Sequence, residues 1–99
     1  MTDRTQKGTT TRERKADRLP LYETRSYRRL QKRLAENIKA LRQAREWTQE
    51  DAAHECGLTV RVWQRVERQE ANVSLVTLAR LVDGLGVDAA TLFAAAARK

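Results

Sequence analysis

Residues 49–66 read Gln-Glu-Asp-Ala-Ala-His-Glu-Cys-Gly-Leu-Thr-Val-Arg-Val-Trp-Gln-Arg-Val. The pattern is that of two short helices joined by a tight turn. Ala53 stands four residues before Gly57, so a small side chain faces the place where the second helix crosses closely. Gly57 supplies the positive-φ residue that ends the first helix, because a residue without a Cβ enters that region at no steric cost. Leu58 plugs the turn, Thr59 is a natural N-cap, and Trp63 and Val66 recur at three-residue spacing on the inward face of the second helix. That second helix carries its cations toward something polyanionic.

Immediately upstream, Thr48 is a good N-cap, and Asp51 three residues later completes a variant of the capping box. The first of the two helices is therefore expected over Gln49 to Cys56 and the second over Val60 to Gln69, with Glu70 to Val73 as a loop. Ser74 caps a further helix whose Leu75, Leu78, Ala79, Leu81 and Val82 form an apolar face, and Gly84 and Gly86 break it. Asp88 caps a last helix, Ala89 to about Ala97, with Leu92 and Phe93 as its large apolar residues. Upstream again, Tyr27, Leu30, Leu34, Ile38 and Leu41 fall at steps of three and four, one stripe on a long helix that runs to about Arg45. No segment alternates with period two over a useful length, so no sheet is expected. The fold class is all-α, with five helices, the first of them extended.

Ninety-nine residues make one domain at most. Residues 1–33 hold 11 Lys and Arg against 4 Asp and Glu, while residues 34–99 hold 9 of each. The charge excess is thus expected on the N-terminal residues 1–33, with residues 1–26 a flexible basic arm and the domain over 27–99. Met1 to about Leu19 has almost no apolar residues and should be disordered alone, and Pro20 blocks a helix running through it. Such an arm suits anionic partners. Arg28, Arg29, Lys32 and Arg33 lie mostly off the apolar stripe and read either as a solvated helix face or as DNA-backbone contacts. There is no apolar run near the ~20 residues that span a bilayer, and the polar, basic N-terminus is not a secretory signal. One cysteine offers no disulfide framework, so a reducing cytoplasm is the expected compartment, and no membrane partner is expected.

Leu41-Arg42, Thr48-Gln49, Ala53, Gly57, Thr59, Val66-Glu67, Leu85-Gly86-Val87-Asp88 and Leu92-Phe93 stand at fixed offsets. With them, residues 34–93 resemble the helix-turn-helix domain of the phage repressor, Cro and C1-type (XRE) family, a five-helix repressor-like DNA-binding unit. The resemblance implies that Gln49 donates to a backbone phosphate, helped by the positive end of its helix. It implies base contacts from Thr59, Val60, Arg61 and Arg65, with Gln64 beside them. Arg can donate two bonds to guanine O6 and N7, and Val60 can touch a thymine methyl. Arg61 and Arg65 at i, i+4 on an exposed helix could instead be solvated or contact phosphate only. Arg42 and Glu67 match positions that form a structural ion pair in many members, a brace between the first and third helices.

Ala52 and Trp63 depart from that pattern, which usually has Leu and then Ile or Val. The indole either fills the volume that Ala52 leaves, is plain core, or is partly exposed to DNA. Gln69 and Glu46 stand where glycines often end helices three and one, so those turns are expected to be strained or longer.

His54 and Cys56 are the only histidine and cysteine, two apart with no other soft ligand, so no metal site is expected and Cys56 reads as a small core residue. No Gly-rich phosphate loop, Ser/His/Asp set or plausible carboxylate pair occurs, so no enzyme and no cofactor are expected. The expected function is that of a cytoplasmic, nucleoid-associated, sequence-specific regulator of transcription, a repressor whose partners are double-stranded DNA and a second copy of itself. Leu92 and Phe93 are the first candidate dimer contacts, and Tyr27, Leu30 and Leu34 the second. The alternative is an antitoxin or adaptor whose arm binds a protein partner, with DNA binding secondary.

Overall fold

The computed structural model describes residues 24–95, and over them the chain forms five α-helices and no strand. In chain order these are α1 (Arg25–Ala44), α2 (Gln49–Glu55), α3 (Val60–Glu67), α4 (Leu75–Leu85) and α5 (Ala89–Leu92). α1 packs on α3 and α5, α2 on α3 and α4, and α4 on α5. The enclosed core contains Leu34, Ile38, Ala52, Ala53, Cys56, Trp63, Val66, Leu81, Leu85 and Leu92.

α1 begins at Arg25, within one residue of a restart expected around Ser26, because Thr24 caps it: the Thr24 hydroxyl accepts from the Tyr27 N–H at 3.1 Å. Residues 24–26 therefore belong to the helix and its cap, and the rest of the expected arm lies outside the described residues. This start adds Arg25 to the cations of the helix. Residues 1–24 hold six Lys and Arg against four Asp and Glu, whereas residues 25–33 hold five cations and no acid. Most of the excess sits on the first turns of α1, not on an arm that precedes it.

The first three helices end alike. At each end the residue after the cap is left-handed, Glu46 at φ 58, Gly57 at φ 66 and Gln69 at φ 61. The next N–H reaches back to the carbonyl five residues earlier: Trp47 to Arg42 at 3.1 Å, Leu58 to Ala53 at 2.8 Å and Glu70 to Arg65 at 2.8 Å. Glu46 and Gln69 hold this geometry with side chains that oppose it. A left-handed non-glycine residue costs roughly 1–2 kcal/mol, of which a glycine returns about 0.4–1 kcal/mol through the freedom of the unfolded chain. Glu46→Gly and Gln69→Gly are each expected to stabilise by up to ~1 kcal/mol, read as a higher urea midpoint. A lower midpoint for both would show that the turns are not strained.

Three expectations change in the second half of the chain. Gly84 does not break α4 but lies inside it, against the end of α2, and only Gly86, at φ 68, is left-handed. Leu75 and Ala79 are exposed, Leu75 by 81%, so α4 meets the core through Leu78, Leu81, Val82 and Leu85. α5 stops at Leu92 instead of running toward Ala97, of which residues 96 and 97 lie outside the described residues. Asn37 of α1 donates to the Leu92 and Ala94 carbonyls at 2.9 Å each, taking acceptors that a longer helix would use. Asp88 stands at the N-cap of α5 with no side-chain cap bond.

Candidate nucleic-acid interface

The elbow between α2 and α3 is built from local chemistry. The Thr48 hydroxyl accepts from the Asp51 N–H at 3.0 Å while the Thr48 N–H donates to the Asp51 carboxylate at 2.9 Å, a closed capping box that fixes where α2 starts. Ala53 is buried at the crossing and Gly57 turns the chain. Arg80 of α4 donates to the Gly57 carbonyl at 2.8 Å and holds the turn from below. Thr59 starts α3, its hydroxyl accepting from the Val62 N–H at 3.2 Å.

One carboxylate sets the angle of α3. Arg42 reaches Glu67 through Nε to Oε2 at 2.6 Å and Nη2 to Oε1 at 3.3 Å, and its Nη1 donates to the Trp47 carbonyl at 3.1 Å. Gln49 Nε2 donates to Glu67 Oε1 at 3.0 Å, and the Trp63 indole N–H donates to Oε2 at 2.6 Å. Gln64 in turn donates to Gln49 Oε1 at 3.1 Å. The Glu67 side chain is only 6% exposed and that of Arg42 15%. Burial pushes the Glu67 carboxyl up, but hydrogen bonds from Arg42, Gln49 and Trp63, with the Arg42 charge, outweigh it and hold its pKa below the ordinary value. α1, the α1–α2 turn, α2 and α3 thus share one polar hub.

That hub explains Trp63 more directly than a volume exchange does. Trp63 and Ala52 are both fully buried in the core, which excludes a DNA-facing indole, and a buried indole N–H needs an acceptor. Glu67, one helical turn on, is that acceptor. The Trp63–Glu67 spacing of four residues was a signal available in the sequence. The long-range bonds of Arg80 to Gly57, Arg45 to the Leu85 carbonyl at 2.5 Å, and Asn37 to α5 had none.

The expected DNA-facing residues divide into two groups. Thr59, Arg61 and Arg65 are exposed on one side of α3. Arg61 makes no hydrogen bond or ion pair with any described residue, and Arg65 makes only a long 3.4 Å contact to the Glu70 carbonyl. Their guanidinium groups stand in solvent with their donors largely unused. Gln49, Val60 and Gln64 are half-buried instead. Val60 packs against the core, and Gln49 and Gln64 are already engaged in the hub, each keeping a second amide hydrogen for an outside acceptor. Glu50 and Asp51 in the first turn of α2 place two carboxylates near Gln49 and weaken the attraction of that helix end for an anion.

Leu92 is not a surface residue. It has 0% exposure and fills the protomer's own core, while Phe93 is half-buried and packs against that core. A contact to a second copy through Leu92 would require the core to open. Cys56 is buried, its thiol pushed up by burial and by Glu55 against a smaller opposing effect of Arg45, and His54 is exposed. Among the described residues no group of three His, Cys, Asp or Glu is arranged to hold a metal ion, and no helix is long and apolar enough to cross a membrane.

The family model of the helix-turn-helix domain matches residues 33–95, which span all of this geometry except the first turns of α1. The chain belongs to the helix-turn-helix domain family. A solved structure described as a hypothetical transcription factor, NHTF, from Neisseria is similar to it with a TM-score of 0.62 and 34% identity, over 66% of this chain and 75% of that one. The helix-turn-helix fold also recurs in an HTH_3 family transcriptional regulator from Vibrio cholerae, with a TM-score of 0.61 and 23% identity over 65% of this chain. This chain spans 36% of the length of that regulator. No curated protein matches it. Within the helix-turn-helix unit, α2 and α3 are the two helices of the motif and α3 the second of them.

Proposed function

We propose that this protein is a DNA-binding transcription regulator that reads sequence with α3, acting as a dimer on a palindromic operator and repressing by occupying it. The observation that carries this reading is the pairing of a rigid brace with free donors. Glu67 locks α3 to α1 and α2, while Arg61 and Arg65 are exposed on α3, the Arg61 guanidinium without a bond to a described residue and that of Arg65 with only its 3.4 Å contact to the Glu70 carbonyl. A helix held at one angle presents those donors in a fixed geometry, which is what bidentate recognition of guanine in the major groove requires. Thr59 is exposed at the start of the same helix, its hydroxyl proton free to donate because its oxygen is the partner that caps α3. Gln49 is the proposed phosphate contact through its remaining amide hydrogen. The site of action is the chromosome, hence the cytoplasm.

A single α3 offers few base contacts, and two copies on half-sites about one helical turn, ~34 Å, apart supply the rest. With Leu92 in the core, two apolar surfaces among the described residues are left for a second copy: the groove lined by Tyr27, Leu30, Leu78 and Phe93, where Leu30 is 46% exposed, and the start of α4, where Leu75 and Val76 are 81% and 62% exposed. Binding measurements on Arg61→Ala and Arg65→Ala test the reading. Each is expected to lose roughly 1–3 kcal/mol of discrimination between the preferred duplex and a scrambled one, with its thermal midpoint unchanged because both side chains are exposed. Full discrimination in the double variant would sink it.

A further inference from the structure

The first turns of α1 carry a charge arrangement that the isolated helix opposes. Arg25, Arg28, Arg29 and Lys32 are all exposed, and Arg33 is half-buried. Arg25 and Arg29, Arg28 and Lys32, and Arg29 and Arg33 are like-charged pairs at i, i+4, which destabilise a helix, and no acid stands in the first turn to offset the positive helix end. None of the five makes an ion pair with a described residue. Arg25 to Lys32 also precede the helix-turn-helix unit, which is matched from residue 33. Neither the fold nor the elbow accounts for them.

Their direction is fixed by the contacts of α1. One flank of the helix faces α3 and the loop after it, since Arg42 bonds Glu67, and Tyr27 and Gln31 both donate to the Ala71 carbonyl, at 3.4 and 3.3 Å. The opposite flank faces α5 through Asn37. Arg28 lies three residues before Gln31 and seven before the buried Ala35, which puts it next on the α3 flank, and Lys32, Arg25 and Arg29 follow round the same exposed side. Glu36 and Lys39 continue that side. The α3 flank ends at Arg65 and Arg68, both exposed on the last turn of α3 and just after it. The α3 flank of α1, with Arg28 beside it, meets the loop of residues 69–73 at Ala71, and the end of α3 meets the same loop at Glu70, whose carbonyl accepts from Arg65 and whose carboxylate pairs with Arg68.

We propose that the first turns of α1 form a second, sequence-independent docking surface for the phosphate backbone of the duplex that α3 reads. This rests on the DNA-binding reading above. Residues 25–33 span ~13 Å of helix axis, the length of about four phosphates at 3.4 Å per nucleotide. The surface extends the footprint beyond the half-site without adding sequence information, and phosphate binding removes the repulsion among its own cations.

The test uses the full chain carrying Arg25→Gln, Arg28→Gln, Arg29→Gln and Lys32→Gln together, with a charge-keeping control of Arg25→Lys, Arg28→Lys and Arg29→Lys. Affinity for a preferred and a scrambled duplex is measured across a salt series. Each phosphate contact adds about 0.9 to the slope of log affinity against log salt, so the glutamine variant is expected to lose roughly 2–4 of slope. Its ratio of preferred to scrambled affinity should stay unchanged, its thermal midpoint should be equal or higher, and the lysine control should keep the parental slope. An unchanged slope in a glutamine variant whose parent binds duplex with sequence preference overturns the proposal, also if the variant then loses an acidic protein partner. If the parent chain shows no preferred duplex, the proposal falls together with the reading it rests on.

Discussion

Glu67→Ala is expected to cost about 3–5 kcal/mol of stability, because removing one side of a buried pair leaves the other charge uncompensated. Domain stabilities of roughly 5–15 kcal/mol make this a large fraction of the whole. The change also orphans the Trp63 indole N–H and frees Gln49, which then loses its fixed position beside Gln64. Urea denaturation checks the number. A midpoint equal to that of the parent would mean that the carboxylate is not the brace described above.

The same group gives stability an acid dependence with a defined sign. The folded pKa of Glu67 lies below the unfolded value near 4.5, so the unfolded chain binds the extra proton. The contribution is complete above pH 4.5 and is lost as pH falls through the lower folded value. Glu67→Gln should flatten that acid limb of the stability curve. An unchanged limb would assign it to other carboxylates.

Gly84→Ala is expected to produce the second large effect, and for a different reason. A Cβ at that position would sit 2.5 Å from Cys56 Sγ, 2.6 Å from Cys56 Cα and 2.7 Å from the Glu55 carbonyl oxygen. Two of these are backbone atoms and cannot swing away. Overpacking of this kind typically costs 1–3 kcal/mol, about 3 kcal/mol being the expectation here, against a gain of roughly 0.5–1 kcal/mol for alanine in a helix. Relief requires α4 to part from the end of α2, which also moves the Gly57 turn and α3, so DNA affinity should fall with stability. Gly86→Ala is the comparison: its Cβ meets nothing within 4 Å, and only the left-handed backbone, φ 68, opposes it. It should destabilise without weakening DNA binding. A Gly84→Ala chain as stable as the parent would contradict the close α2–α4 contact.

These two residues also mark where the sequence is legible. Thr48 with Asp51, and Gly57 with Leu58, act over three to five residues, so the start of α2 and the turn into α3 can be read from spacing. Gly84 cannot be read this way, because a helix breaker and a glycine required by a neighbouring helix look the same until Cys56 is placed opposite. Leu92 fails for a related reason: an apolar residue on a terminal helix fits a core and an interface equally, and only its zero exposure decides between them. The start of α1 is legible to within one or two residues from its apolar stripe, while the Thr24 cap that fixes it at Arg25 is a single weak signal. The resemblance points Gln49 and Gln64 outward, yet the hub turns the Gln49 amide toward Glu67 and the Gln64 amide toward Gln49, a convergence of three helices that no local pattern encodes.

In the proposed function α3, braced by Glu67, reads DNA sequence through Arg61 and Arg65. Selection of bound sequences from a random duplex pool, run in parallel with the parent chain and with Arg61→Ala, tests it most directly. The expected result is an enriched motif with two-fold symmetry and half-site centres ~34 Å apart, in which Arg61→Ala relaxes the preference at one position of each half-site. A pool that the parent chain leaves without any enriched motif would contradict the account.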